Sequence, residues 1–384
     1  MQHLREMTEP AYPAARAVAP NVHAHFTRLV VAAGVPTGVV KAALPDPGQI
    51  EAIIDAAFWA SLRREEGYVP KISLALLSPE QAVHPIVFER SLPLKPGALV
   101  RVAAAVERPG IHLGVWPAGD ELRVWGMTRS IPTFCFVLEV AAPGLLVIKH
   151  HRGEVGKFVN VAVLEGDQIK VIDEQASSLP DCPELLTSLL GFDTPTAWTG
   201  GVNVLVQLAV SMRAHGRGGS LLVVPADHDG WRESMVHPIS YSVTPAFAEL
   251  AELVRQAPEE EGHRLWQDAL TDTVNAVAGV TAIDGAAVMT DPYELLAFGA
   301  KITRRHGWPP VEQVTVTEPV EGGLAEIVHP TGLGGTRHLS AAQFVQDQRG
   351  AIALVASQDG RFTVFAWSPC ANMVHAHRVE TLLL

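Results

Sequence analysis

Between residues 71 and 166 the sequence returns again and again to short runs of β-branched and aromatic residues cut off by proline or glycine. They are KISLALLS (71–78), ALVRVAAAV (98–106), ELRVWGMT (121–128), TFCFVLEVA (133–141), GLLVIKH (144–150) and VNVAVLEG (159–166). Their composition and spacing predict strands of an antiparallel sheet, and so a β-rich module ending near Asp173. Ahead of it, residues 25–67 place apolar side chains three and four apart, most clearly in QIEAIIDAAFWASLRREEG (49–67), so helices lead into the sheet. Residues 1–22, rich in Pro and Ala, read as a loose arm.

A different pattern follows EQASSLPDCPELLTSLLGFDTPTAWT (174–199), which mixes turn formers with a short helix and reads as a connector. NVLVQLAVSMRAHGRGG (203–219) is an amphipathic helix ending at glycines, with the buried strand SLLVVPA (220–226) directly behind it. Helices over 246–257 and 261–280 come next, then strand-like GAAVMT, ELLAFGAKI, VTVTEPV, AIALVAS and FTVFAW. This half, 200–384, is α/β, and the chain as a whole is α+β. With 384 residues, 48% of them hydrophobic, it is long enough to bury two cores.

The formal charge of −12 argues against broad binding to nucleic acid or anionic membranes, which need a basic face. Cys135, Cys182 and Cys370 form no CxxC pair and suggest neither a disulfide framework nor a thiolate metal site. No signal-like segment opens the chain and no window approaches the roughly 18 apolar residues of a membrane span, so the expectation is a cytoplasmic protein without a membrane or nucleic-acid partner.

Two segments of the second half carry the candidate chemistry. In AIDGAAVM, Asp284 precedes Gly285 and Ala286 at a strand entrance; a carboxylate there could hold a metal or accept a proton from a hydroxyl, and Gly permits close approach of a ligand, while the plain alternative is an Asp-Gly turn. In TGLGGTRHLSAAQ, Gly335 frees backbone N–H groups, Thr336 adds a hydroxyl, Arg337 a fork of donors and His338 a further donor or metal-binding nitrogen. If the helix opens at Ser340, its N-terminus faces the same anion; otherwise Ser340 simply caps it beside a surface arginine.

Taken in order, RGGSLLVVPA, AIDGAAVM, LLAFGAKI, GGTRHLSAAQ and AIALVASQDGRFTVFAW resemble the diadenylate cyclase (DAC) domain, the DisA N-terminal nucleotidyltransferase superfamily, over about residues 200–370. The resemblance implies a mixed sheet flanked by helices and a pocket for ATP or a related adenine nucleotide. Asp284 would stand by the ribose 3′-hydroxyl and the catalytic metal, with Gly285 and Ala286 at the nucleotide edge. Gly335, Thr336, Arg337, His338 and Ser340 would form the triphosphate loop, and Ser357 and Gln358 would stand at the family's Ser-Glu motif. Active members work as face-to-face homodimers that join two ATP into cyclic di-AMP with Mg or Mn, which would make Asp284 catalytic and Asp284 and His338 the metal-side residues. The chain departs from that pattern. Leu339 replaces the second arginine of Arg-His-Arg, Gln358 replaces an acidic ligand, and Ile283 replaces a histidine. The expectation is therefore a sensor or effector, in bacterial nucleotide signalling or defence, that binds an adenine nucleotide or cyclic dinucleotide without cyclising it. An active cyclase is the alternative. FWASLRREEGYVPKISLALLSPE (58–80) and LRVWGMT (122–128) also resemble the DAC-derived sensor group DACNV.

Other features read as structural. Adjacent His150 and His151 diverge on a strand and suit a solvated strand end, and His375 and His377 share a face if extended but lack a third ligand, so a surface pair is expected. ADHDGWRE (226–233) follows a strand end and could border the nucleotide pocket, and Trp266, Trp308 and Trp367 are expected to pack.

Overall fold

The computed structural model describes residues 11–32, 42–152, 157–173, 204–256 and 263–384. The chain divides into two compact units, Met1–Ile172 with Leu384, and Asp173–Leu383. The connector expected over 174–199 lies outside the described residues.

In the first unit, helix α1 (Pro13–Ala32) and helix α2 (Pro47–Ser61) precede the sheet. The sequence Asp46-Pro47-Gly48-Gln49 opens α2. Asp46 accepts the Gln49 N–H at 2.9 Å, Gln49 Oε1 accepts the Asp46 N–H at 3.1 Å, and Pro47 sits in the first turn where no N–H is required. Ile50, Ile53, Ile54, Ala57 and Ala60 then form its buried stripe. The expectation of a loose arm is corrected from residue 13 onward. Ala15, Val18, Ala19, Val22 and Phe26 recur at helical spacing and are all buried, while Pro20 lies on the exposed side. Alanine is both the best helix former and small enough to let α1 approach α2.

The sheet has eight strands: β1 (Ser73–Leu76), β2 (Ile86–Pro93), β3 (His112–Ala118), β4 (Glu121–Thr128), β5 (Phe136–Ala142), β6 (Leu145–Arg152), β7 (Lys157–Glu165) and β8 (Gln168–Val171). Their order is β2-β4-β3-β1-β5-β6-β7-β8, antiparallel except where β1 runs parallel to β3. The run ALVRVAAAV forms no strand. It is helix α3 (Pro96–Val102) continued by a 3-10 turn over Ala103–Val106, because Pro96 starts a helix and Leu99, Ala103 and Val106 bury at helical spacing. Leu74, Leu76, Leu113, Val115, Phe136 and Leu138 join the helices in the main core, and a smaller cluster gathers Ala75, Leu77, Trp125, Cys135 and Val137. His150 and His151 do diverge, but not into solvent. His150 is buried 5.6 Å from the His25 ring, and His151 lies 5.5 Å from Phe158.

The second unit has a nine-stranded sheet: β9 (Gly219–Val224), β10 (Tyr241–Phe247), β11 (Ala286–Thr290), β12 (Leu295–Ala300), β13 (Val314–Thr317), β14 (Glu326–Val328), β15 (Ile352–Ala356), β16 (Phe362–Ser368) and β17 (Met373–Arg378). The order is β10-β12-β11-β9-β15-β16-β17-β13-β14, with β9/β11 and β13/β17 parallel. Helices α4 (Val204–Ala214), α5 (Glu249–Arg255) and α6 (His263–Val280) share one core with Leu221, Val223, Ala287 and Met289. Helix α7 (Thr336–Asp347) shares the other with Leu222, Val224, Ala286 and Val288. β9 is thus covered on both faces, which is why its sequence is a continuous apolar run without alternation.

The C-terminal part of α7 fastens the loop that follows β12. Asp347 accepts the Arg305 N–H at 2.7 Å, Gln343 accepts the Val311 N–H at 2.8 Å, and Gln346 donates to Pro309 O at 3.0 Å. Gln348, just past the helix, donates to Gly230 O and Ser234 Oγ, both at 2.9 Å. On β17, His377 is buried instead of lying at the surface. Its Nδ1 stands 2.7 Å from Thr317 Oγ1 on the neighbouring β13, and burial pushes its pKa down to about 3. Trp367 and Trp266 lie against the two cores as expected, while Trp308 lies under the guanidinium groups of Arg305 and Arg349 at 5.1 and 5.6 Å. No described helix is long and apolar enough to cross a membrane.

Candidate functional site

One end of the second sheet collects the residues that the sequence marked separately. Parallel β9 and β11 both begin there and antiparallel β15 ends there, with Ala356 paired to Gly219 and Ala286 paired to Ala300. The loops entering and leaving these strands supply the Arg217–Gly218, Asp284–Gly285 and Ser357–Gln358 segments, and the start of α7 supplies Arg337.

Gly218 shows how tightly they meet. At φ +71 it bears no side chain, and a Cβ built on it would stand 3.2 Å from Arg337 Nη1, 3.2 Å from Ala356 O and 3.4 Å from Gln358 Cγ. Gln358, exposed in the β15–β16 turn, donates from Nε2 to Arg217 O at 3.3 Å, and the Ser357 N–H closes the same turn on Arg361 O at 2.9 Å. Neither Arg217 nor Arg337 belongs to an ion pair among the described residues. A chain of strongly negative net charge therefore places the Arg337 guanidinium at this rim, where its charge acts on Asp284 without a direct ion pair.

Asp284 projects from the β11 entrance with its side chain 86% exposed, and its Oδ2 accepts a hydrogen bond from Lys301 Nζ. That bond, the Lys301 charge and the Arg337 charge hold the carboxyl below its usual pKa. Lys301 follows β12 and reaches Asp284 because the β11–β12 hairpin folds the two segments side by side. Gly285, at φ +110, lies so close to the opposite strand that a Cβ would stand 2.5 Å from the Gly299 carbonyl carbon. Ala286 is buried, so only its backbone borders the site. Tyr241, about half exposed, stacks on Phe298 with centroids 4.8 Å apart and lies against Gly299.

The α7 start differs in detail from the sequence expectation. The helix opens at Thr336, with Gly335 as N-cap and no side-chain cap, so the Thr336 and Arg337 N–H groups lack intrahelical acceptors, while the His338 N–H turns back to Gly335 O at 3.1 Å. Ser340 neither opens nor caps it and sits half-buried in the second turn. Thr336 is exposed and Arg337 half-buried, but His338 is buried. Its Nε2 lies 3.5 Å from Thr363 Oγ1, its Nδ1 is close enough to Gly334 that a Cβ there would be 2.6 Å away, and burial pushes its pKa down. His338 therefore anchors the helix start to β16. ADHDGWRE lies at the opposite end of β9 from Gly218, as a 3-10 turn over Asp229–Ser234, and does not border this cluster.

Reading the sequence alone missed Lys301, Tyr241 and the Arg217–Gly218 turn. Counting back across the β11–β12 hairpin would have placed Lys301 beside Asp284; nothing in sequence marks Tyr241, whose strand β10 pairs with a segment far along the chain.

Comparison with known proteins bears on the first unit. Residues 40–129, which include α2, β1, β2, α3, β3 and β4, match the family described as probable sensor domain DACNV. No curated protein matches the chain. Among solved structures, a hypothetical membrane spanning protein from Bacillus cereus aligns over 50% of this chain and 70% of its own, at 13% identity and a TM-score of 0.25, a likeness that carries no argument.

Proposed function

We propose that the protein is a sensor whose second unit binds an adenine nucleotide or cyclic dinucleotide on a diadenylate-cyclase-like scaffold and does not cyclise it. The observation that carries this reading is the convergence of Asp284, Arg337, Gln358, the Arg217 backbone and the start of α7, which has no side-chain cap, at one end of one sheet. Backbone N–H groups and an unpaired guanidinium are what phosphate oxygens require. The sensor-family match of residues 40–129 supports the signalling role.

Cyclisation demands more than holding the ligand. Charge developing at the α-phosphate must be met by preorganised partners, and losing one costs about a hundredfold or more in rate. Leu339 carries no charge where the resemblance calls for an arginine, and Gln358 is neutral where it calls for an acid. Ground-state binding survives such losses better than catalysis does.

Calorimetry with ATP and with cyclic di-AMP tests the reading. A charge-assisted contact to phosphate is worth about 1.5–3 kcal/mol, so Arg337→Ala should weaken binding by roughly ten- to a hundredfold. Incubation with ATP and Mg or Mn should yield no cyclic di-AMP by mass spectrometry. Multiple-turnover product that disappears in Asp284→Asn would establish the cyclase instead.

A further inference from the structure

The donor set at Asp284 does not suit a divalent cation. Mg and Mn favour several hard oxygen ligands, anionic ones above all. Here Asp284 already accepts a hydrogen bond from Lys301, and Asp359, next to Gln358 in the β15–β16 turn, pairs with Arg361 at 3.4 Å. The amide of Gln358, held through its nitrogen on Arg217 O, can offer only a neutral oxygen, and the ring nitrogens of His338 face Thr363 and Gly334. Among the described residues no three His, Cys, Asp or Glu side chains form a group that could hold a metal ion. A cation arriving at Asp284 would compete for the carboxylate with an ammonium already hydrogen-bonded to its Oδ2, and would meet the Arg337 charge as well.

We infer that this site binds its phosphate-bearing ligand without a divalent metal, the Lys301 ammonium serving as the resident counter-cation on Asp284. The inference rests on the nucleotide reading above. The side chain of Lys301 is 53% exposed, and an ammonium has three N–H donors. With one donor on Asp284, the others remain for phosphate oxygens. The carboxylate then has a positioning role: it steers a flexible lysine towards the rim where Arg337 and the α7 N–H groups already face. Lys301, Arg337 and a helix N-terminus supply the positive field that a metal would otherwise bring.

The test is calorimetry on the full chain with cyclic di-AMP and with ATP, each in a magnesium buffer and in EDTA. Cyclic di-AMP is the cleaner probe, since ATP itself chelates magnesium. For the unaltered protein, affinity in the two buffers should agree within about threefold, well under the tenfold that 1.4 kcal/mol represents. Lys301→Ala should lose about tenfold or more in EDTA, the size expected for one charge-assisted contact, and Lys301→Arg should keep most of the affinity. Adding Mg or Mn should restore part of the Lys301→Ala loss, because Asp284 is then free to accept a cation. Binding by the unaltered protein that strengthens about tenfold or more with metal, or Lys301→Ala binding as well as the parent in EDTA, would overturn the inference while leaving nucleotide binding intact. Failure of both probes in both buffers would remove the nucleotide reading and this inference with it. The comparison of buffers on the unaltered protein decides the matter even if a variant fails to fold.

Discussion

Replacing Gly285 with alanine strikes the point where the candidate site meets the sheet. Gly285 stands at φ +110, and a Cβ there would lie 2.5 Å from Gly299 C, 2.8 Å from Gly299 O and 2.9 Å from the Ala300 nitrogen. All three are backbone atoms of the neighbouring strand segment, so nothing flexible can move aside. Holding alanine in this conformation costs about 1–3 kcal/mol, and pushing two paired strands apart adds about 1–3 kcal/mol. A loss near 4 kcal/mol in a unit of this size should lower Tm by roughly 8–16 °C, at about 2–4 °C per kcal/mol. Scanning calorimetry can measure it beside two internal comparisons. Gly360, at φ +87 with no atom within 4 Å of its built Cβ, should show only the conformational part on mutation to alanine. Gly279, near the end of α6 with open space around it, should gain up to about 1 kcal/mol as alanine. If Gly285→Ala and Gly360→Ala lower Tm equally, the close approach of Gly285 to Gly299 is not what requires glycine there.

Acid should weaken the first unit in a defined window. Burial pushes the pKa values of His25 and His112 down to about 4, below an unfolded value near 6.5, so the unfolded chain binds the extra protons; stability should be full above about pH 6.5 and decline as pH falls towards 4, by about 3 kcal/mol for each histidine. Urea midpoints that stay constant across that interval would contradict the burial of both rings. Thiol labelling should separate the cysteines: in a Cys182→Ser background, exposed Cys370 should react at once, and buried Cys135, whose pKa burial raises, only as fast as the protein unfolds. Prompt modification of both would refute the placement of Cys135 under Leu76 and Phe136.

Much of this architecture was legible where local chemistry and tertiary packing agree. β9 reads as a buried strand because Leu221, Leu222, Val223 and Val224 run without a polar break, and α2 because Asp46, Pro47 and Gln49 spell a helix start ahead of a regular stripe. ALVRVAAAV misled because three valines suggest a strand, while its burial pattern, set by the helices beneath it, is helical. The arm misled in the opposite way. Alanines and prolines look featureless until α2 offers them a surface, and then Ala15 and Ala19 become close-contact positions. Of the candidate site residues, Arg337 and Asp284 could be singled out because each sits in a short motif. His338 was misplaced because a Gly-rich stretch suggests an open loop, whereas the helix starts early enough to fold the imidazole beneath it. Lys301 follows only from the register of the β11–β12 hairpin, and Tyr241 from a long-range pairing of β10 that no local motif encodes.

Helix α7 has a consequence for how such a chain tolerates length changes. Its 12 residues span about 18 Å. Arg337 stands at one end, and at the other Asp347 grips the backbone of Arg305, a few residues beyond Lys301. The two cations that face Asp284 are therefore referenced to a single rod. Inserting one residue midway would turn one end against the other by about 100°, withdrawing Arg337 from Gly218 or Asp347 from Arg305. The exposed residues 322–325, between β13 and β14, belong to no helix that sets a phase and can lengthen without disturbing either cation. Along this half of the chain, spacing is fixed where the helix acts as a gauge and free where the loop is only a bridge.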